Sequence, residues 1–408
     1  MEQEARSSDD ILAGFGPNER AILERVPTRL LRRVAAAAVR TKMRLQFTGW
    51  LQYVIPLIPL AALALVSGLA LLLGLPWVSA GFGLGAGALL TIALFDIVTI
   101  KLRIRPPESR PARNDAMDVF DLMRARRSCR SFQTRLMSGE DCDALLASVK
   151  RHLAEDTLGP VPVRLEYIRG DLTVWPTVNA TEFLVAIVPQ PYDRRSVIDV
   201  GRALQKVVLD ATRRGLGTCW IGPGADHESL KAHLGERFDE ARDQIICICA
   251  VGYPSLFVPL FIRIFNRMVR KRLPLSELFF ADPGMRAPLD LDAPQYSRFG
   301  RTFEACKWAP SSYNGQTTRA VARAEGEGAV AGVDFYAVTA SRYYAPVALG
   351  IWCANWELGC DALGIEGRFR ACPPPEEGSG PPLHDVTWTP VAMARRCSEP
   401  SVIGAARQ

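Results

Sequence analysis

From Leu45 to Phe95 the chain carries no charged residue. A helix on the surface of a soluble domain alternates an apolar stripe with a polar face, and this run offers no polar face. One bilayer crossing takes about 20 apolar residues, so the run is long enough for two. It predicts helices over Leu51–Leu75 and Val78–Ile100, with Gly74-Leu75-Pro76 as the break. Trp50, Tyr53 and Trp77 stand where interfacial aromatics belong. Arg32, Arg33, Arg40, Lys42 and Arg44 precede the hairpin, and Lys101, Arg103 and Arg105 follow it. Basic flanks on both sides predict a two-pass membrane protein with both termini, and the bulk of the chain, in the cytoplasm.

The expected organisation is a cytoplasmic segment (1–44), a transmembrane hairpin (45–100), a linker (101–114) and a folded domain (115–408). The first segment is mixed in charge, which argues against a transit peptide, and lacks an apolar leader with a cleavage site. Within it, Pro27–Arg44 reads as a basic amphipathic helix. Three prolines among alternating charges mark the linker. The net charge of +6 is modest, and its basic residues crowd near the apolar segments. That favours membrane lipid as a partner, and no nucleic acid, since neither zinc-finger nor RNA-binding spacing is present. Ten cysteines without a scaffold pattern read as reduced thiols; Cys247 and Cys249 alternate along a buried strand. His152, His227, His233 and His384 show no metal or triad spacing and read as structural or solvated.

The folded domain reads as α+β and as two related halves, about 115–255 and 275–395. In the first, Ser138-Gly139-Glu140-Asp141 caps a helix, strands follow at 163–168 and 182–188, a helix at 196–214, and strands at 218–221 and 244–252. In the second, a helix from Tyr296 to Lys307 precedes strands at 318–323 and 333–339 and a helix at 344–363. Gly201 and Gly215 bracket the first long helix, and Gly350 and Gly364 bracket the second at the same separation. The shared order predicts a duplication. Leu256–Arg270 has helical apolar spacing with Arg263, Asn266, Arg267 and Arg270 between. Two readings stay open for it: a core helix, or a helix lying on a membrane.

Two stretches carry the chemistry. Arg126-Arg127-Ser128-Cys129-Arg130-Ser131-Phe132 packs guanidiniums and a hydroxyl into a few residues, and an arginine fork matches phosphate oxygens two at a time. Pro310-Ser311-Ser312-Tyr313-Asn314-Gly315-Gln316 is a polar loop between a helix and a strand. Together these resemble the R-R-S-x-R-x-F and P-S-S-x-N-x-Q-P motifs of the FMN-dependent nitroreductase family, in its internally duplicated single-chain branch. The resemblance runs from about Asp115 to Arg395.

That resemblance implies a nitroreductase-like fold built as an internal pseudo-dimer. No partner chain is then required. The arginine motif lies only in the first half and the P-S-S-x-N motif only in the second, while Leu158-Gly159-Pro160-Val161-Pro162 lacks the hydroxyls and the amide. One FMN per chain is therefore expected. Arg126, Arg127, Ser128 and Arg130 would hold its phosphate and ribityl chain, and Pro310, Ser311, Ser312 and Asn314 would contact it from the other half. Ile221 or Gly222 would bring a backbone N–H to the ring. Arg270 and Arg272, in Arg270-Lys271-Arg272-Leu273-Pro274, would complete the phosphate pocket. Where the family continues Q-P-W-R, this chain has Gln316-Thr317-Thr318-Arg319. The activity implied is hydride transfer from NAD(P)H through FMN to a small-molecule acceptor: a quinone, a nitro compound or a lipophilic metabolite. The alternatives are a flavin-dependent dehalogenase, a desaturating oxidase, or a non-enzymatic membrane scaffold with a degenerate flavin fold.

Overall fold

The computed structural model describes Arg20 and residues 23–172, 174–222, 227–325, 329–373 and 380–391. The segment before Arg20, and the end of the resemblance near Arg395, lie outside the described residues. Helix α1 (Arg29–Phe47) starts at Thr28, whose hydroxyl accepts from the Leu31 N–H at 3.4 Å. A single turn at Leu51–Val54 leads into α2 (Leu57–Leu72). Helix α3 (Pro76–Asp96) begins on its proline and runs into a π-helical turn, Ile97–Lys101. Leu51–Leu72 and Pro76–Lys101 are each long and apolar enough to cross a membrane. Gly83 and Gly85 of α3 lie against Ser67 and Leu63 of α2, and Ser67 Oγ donates to the Ser79 carbonyl at 2.8 Å. Small residues at the contact let the two backbones approach, as in membrane helix pairs. The outer faces stay bare: Leu72 and Trp77 are 86% and 89% exposed.

The proline-rich stretch after the hairpin, expected as a linker, runs as a strap laid on the domain. Buried Arg105 pairs with Glu108 at 3.3 Å and donates to Ser255 Oγ at 2.9 Å. Ser109 O accepts from Gln133, and Asn114 Nδ2 donates to Thr212 O at 2.7 Å. Proline prevents helix here, but side-chain hydrogen bonds fix the extended path.

The first half holds α4 (Val119–Ala125), α5 (Gly139–Leu153), β1 (Arg164–Arg169), β2 (Glu182–Pro189), α6 (Arg194–Arg213), β3 (Gly217–Ile221), α7 (His227–Leu234) and β4 (Asp243–Gly252). Asp118, Ser138 and Asp193 cap α4, α5 and α6 with their side-chain oxygens. The strands form an antiparallel sheet in the order β1-β2-β4-β3. Strand β2 is apolar from Phe183 to Pro189, and its residues up to Val188 are buried on both faces of the sheet.

Helix α8 (Leu260–Met268) lies between the halves, and the second half holds β5 (Phe279–Phe280), α9 (Arg301–Lys307), β6 (Thr318–Glu325), β7 (Ala329–Ala337), α10 (Tyr344–Ala362), β8 (Gly367–Ala371) and β9 (Leu383–Pro390). Its sheet order is β5-β6-β7-β9-β8. Without the short edge strand β5 this repeats the first sheet: a hairpin, a long helix, then two strands whose second inserts beside the hairpin. The halves are two copies of one winding, joined by the packing of α6 on α10. Phe299, Phe335, Trp356 and Trp388 fill the second core. The helix expected from Tyr296 to Lys307 is interrupted, since Gly300 takes φ +40 and α9 starts after it.

Candidate functional site

Arg126–Phe132 leaves the end of α4 and runs beside β3. Ser128 bridges Thr218 in parallel, and the Cys129 N–H donates to Thr218 O at 2.8 Å. A Cβ on Gly217 would stand 2.7 Å from Cys129 Sγ, so glycine is what lets the motif lie this close. Burial pushes the Cys129 thiol up to about 12, and its S–H donates to Ser131 O at 3.2 Å. It is a packed thiol at neutral pH.

The basic residues beside it are differently placed. Arg126 is 4% exposed, and its Nε and Nη1 have no hydrogen-bond partner among the described residues. Burial, then repulsion from Arg272 and Arg127, pushes its guanidinium down to about 9. Arg272 is pushed down to about 10 by burial and by Arg127. Its Nη1 donates to Ala309 O at 2.9 Å and its Nη2 to Trp308 O at 3.4 Å. Arg127 donates to the carbonyls of Arg124 and Arg126, and Arg270 adds its positive field. Arg127 and Arg272 both lie on the Trp308 ring, at 5.5 and 6.0 Å. Like charges with unused N–H groups in a buried place are stabilised by an anion that accepts those hydrogen bonds.

Residues 308–316 come from the second half and are clasped to 271–273. Asn314 Nδ2 donates to Lys271 O at 2.7 Å, and Gln316 Oε1 accepts from the Leu273 N–H at 2.9 Å. Ser311 Oγ accepts from the Gln316 N–H at 2.8 Å, while Pro310 is buried and Ser312 opens one tight turn. Tyr313, Asn314 and Gln316 take φ of 51, 56 and 47, a left-handed conformation unusual for side-chain-bearing residues and typical of functional loops. Gln316 braces the loop from both ends of its residue, by its side chain to Leu273 and its N–H to Ser311.

At the far end of β3, Ile221 is buried opposite Ile248. Gly222 abuts Tyr344, the first residue of α10: a Cβ there would be 2.6 Å from the ring. Tyr313 in turn acts on Tyr344, whose hydroxyl is pushed up first by burial. Arg130 is turned elsewhere. Its Nη1 donates to Asn266 Oδ1 on α8, and its guanidinium lies 5.0 Å from the centre of the Phe265 ring. The structure thus gathers Arg126, Arg127, Arg272 and the 310–316 loop, with Arg270 and Ser128 alongside, and hands Arg130 to α8. Sequence reasoning missed Trp308, Tyr344 and Asn266. An aromatic two positions before the Pro-Ser-Ser loop was the available sign for Trp308, given the arginine forks that need a flat partner.

In the first half the corresponding loop has spent its donors. The buried Asp199 carboxylate accepts from the N–H groups of Leu158 and Gly159, at 2.9 and 2.7 Å. A Cβ on Gly159 would lie 2.3 Å from Ser196 Oγ. Burial pushes Asp199 up to about 6.

A duplicated α+β fold with arginines of one half meeting a Ser-Ser-Tyr-Asn loop of the other is that of a nitroreductase-type oxidoreductase. The chain belongs to this family, through the member group described as "Putative TM nitroreductase", whose family model matches residues 118–360. Among solved structures, a nitroreductase from Thermotoga maritima is 17% identical, with 70% of this chain and 96% of that one covered at a TM-score of 0.40. A nitroreductase in complex with FMN from Desulfovibrio desulfuricans is 22% identical, covering 40% of this chain and 96% of its own at a TM-score of 0.31. One with bound FMN from Bacteroides fragilis is 18% identical, covering 34% and 89% at a TM-score of 0.28. No curated protein matches the chain.

Proposed function

We propose that this protein is a membrane-anchored, FMN-dependent oxidoreductase that uses NAD(P)H to reduce an electron-poor acceptor. The observation that carries the reading is the buried Arg126 guanidinium, with Nε and Nη1 unpartnered beside Arg272 and Arg127. Flavin mononucleotide fits this setting, because its phosphate is a dianionic acceptor of forked hydrogen bonds. Arg126, Arg127 and Arg272 would hold the phosphate, with Arg270 raising the positive field. Ser128, Pro310, Ser311, Ser312 and Asn314 would border the ribityl chain and ring, and Ile221 or Gly222 would offer a backbone N–H. When bound, the flavin supplies two-electron redox chemistry between reduced nicotinamide and acceptor.

The chain's own work is then positioning and field. The 308–316 loop is held rigid by Gln316 and Asn314, so its hydroxyls are fixed before a ligand arrives. Tyr344 and Tyr313 wall the side near Gly222. No general acid or base is needed for hydride delivery. The two long apolar helices support a hairpin anchor, and the basic flanks support cytoplasmic termini and a cytoplasmic domain, where reduced nicotinamide is available. The internal pseudo-dimer, with one loop closed by Asp199, supports one flavin per chain.

The test is direct. Detergent-purified full chain should be yellow or take up added FMN, with fluorescence quenching that saturates near one flavin per chain. NADH or NADPH should bleach the bound flavin, and quinone or nitro acceptors should restore its colour. Colourless protein that ignores FMN supports the scaffold alternative instead.

A further inference from the structure

Helix α8 lies between the hairpin and the arginine motif. Its buried Ile262 packs with Tyr53, Ile100 and Val178, and Phe257 and Phe261 close over them. Asp96, at the end of α3, accepts from the Leu260 N–H at 2.7 Å and so caps α8. The hairpin and α8 are one unit, and the orientation of one fixes the other. On the outside of that unit Ile264 and Met268 stand one turn apart and are 49% and 74% exposed, beside Leu256 at 86%. Arg263, Arg267, Arg270 and Lys271 are exposed around them, and no acidic residue occurs from Leu256 to Pro274. Exposed apolar side chains flanked only by cations suit the headgroup layer of an anionic bilayer. Continuity with the hairpin places that layer at α8.

A row of rings runs along the same helix. Trp175 stacks on Phe261 at 5.8 Å, Phe261 on Phe265 at 6.1 Å, and Arg130 covers Phe265. Each ring is half-buried, so each offers an edge or face to a flat ligand. The row starts at the foot of the hairpin and ends on an arginine of the motif.

We propose that α8 is seated in the membrane surface and that its ring row is the port through which a lipid-dissolved, flat-ringed acceptor of the quinone type reaches the site. The proposal rests on the oxidoreductase reading above and names its substrate class. A water-borne nitro compound would have no use for a bilayer-facing approach, whereas a long-tailed ring compound keeps its tail in lipid while its ring moves along Trp175, Phe261 and Phe265. Arg130 can donate hydrogen bonds to a ring carbonyl at the inner end of the row.

The test needs no turnover. Full-length protein in vesicles of mixed neutral and anionic phospholipid is photolabelled with a decyl-tailed azidobenzoquinone, and adducts are mapped by mass spectrometry. Adducts are expected on Trp175 and on α8, competed by unlabelled decyl-benzoquinone. Ile264→Asp with Met268→Asp faces two carboxylates toward lipid and should cut these adducts about tenfold, while leaving the hairpin's own lipid labelling unchanged. Phe265→Ala, which leaves the seat intact, should shift adducts outward to Phe261 and Trp175. Labelling confined to the hairpin, labelling of α8 that the double variant does not change, or cross-links joining α8 to a second copy of the chain would each overturn the proposal. A protein that is photolabelled on α8 but binds no flavin would remove the oxidoreductase reading and with it the port, while leaving the seat of α8 in the membrane surface standing.

Discussion

Gly201 and Gly350 meet where the two central helices cross. A Cβ on Gly201 would stand 2.2 Å from the Val347 carbonyl oxygen, and one on Gly350 only 1.9 Å from that of Ile198. Each glycine therefore lets the other helix's backbone into the space a side chain would take, and the crossing is symmetric. The long helices end alike too, on Gly215 with φ +78 and Gly364 with φ +68, the left-handed stop that glycine favours.

Replacing Gly201 by Ala should destabilise the protein strongly. The clash is with backbone on the partner helix, which cannot rotate away, so the cost sits at the upper end for overpacking, about 3 kcal/mol. Gly81→Ala is the control: its added Cβ meets nothing within 4 Å. Thermal unfolding of both variants in the same detergent checks the contrast, and equal midpoints would mean the helices do not cross there.

The two arginines of the opening motif should separate by ligand. Arg126→Ala removes unpartnered forked donors and should weaken FMN by roughly ten- to a hundredfold, the range for a hydrogen bond to a charged group. Riboflavin, which lacks the phosphate, should bind that variant nearly as it binds the parent. Arg130→Ala should leave the preference for FMN over riboflavin in place, because Arg130 faces Asn266 and Phe265. Fluorescence titration with both flavins decides it.

How much of this was legible in the sequence follows from the kind of signal each part leaves. The hairpin, the main helix–strand order of the two halves as far as α10 and the paired glycines are periodicity and punctuation, which a chain cannot hide. Strands β8 and β9 were not foreseen, since Arg368, Arg370, His384 and Asp385 break the apolar pattern. They pay out in tertiary contacts instead: Asp385 pairs with Arg194 of α6 at 2.6 Å, and His384 stacks on Tyr336 at 4.7 Å. The site residues were legible as a set because motifs are local. Their division was not, because it depends on where α8 docks: nothing in Arg126-Arg127-Ser128-Cys129-Arg130 says that its last arginine meets Asn266, far along the chain.

The closed first-half loop has a pH signature. Asp199 is pushed up to about 6 by burial, against an ordinary value near 3.8. Between those values the folded protein holds more protons than the unfolded chain, so stability should fall as pH rises through that window. Asp199→Asn abolishes the titration and should flatten this part of the profile. Chemical denaturation at pH 4, 5, 6 and 7 measures it, and a variant with the parent's slope would assign the titration to another group.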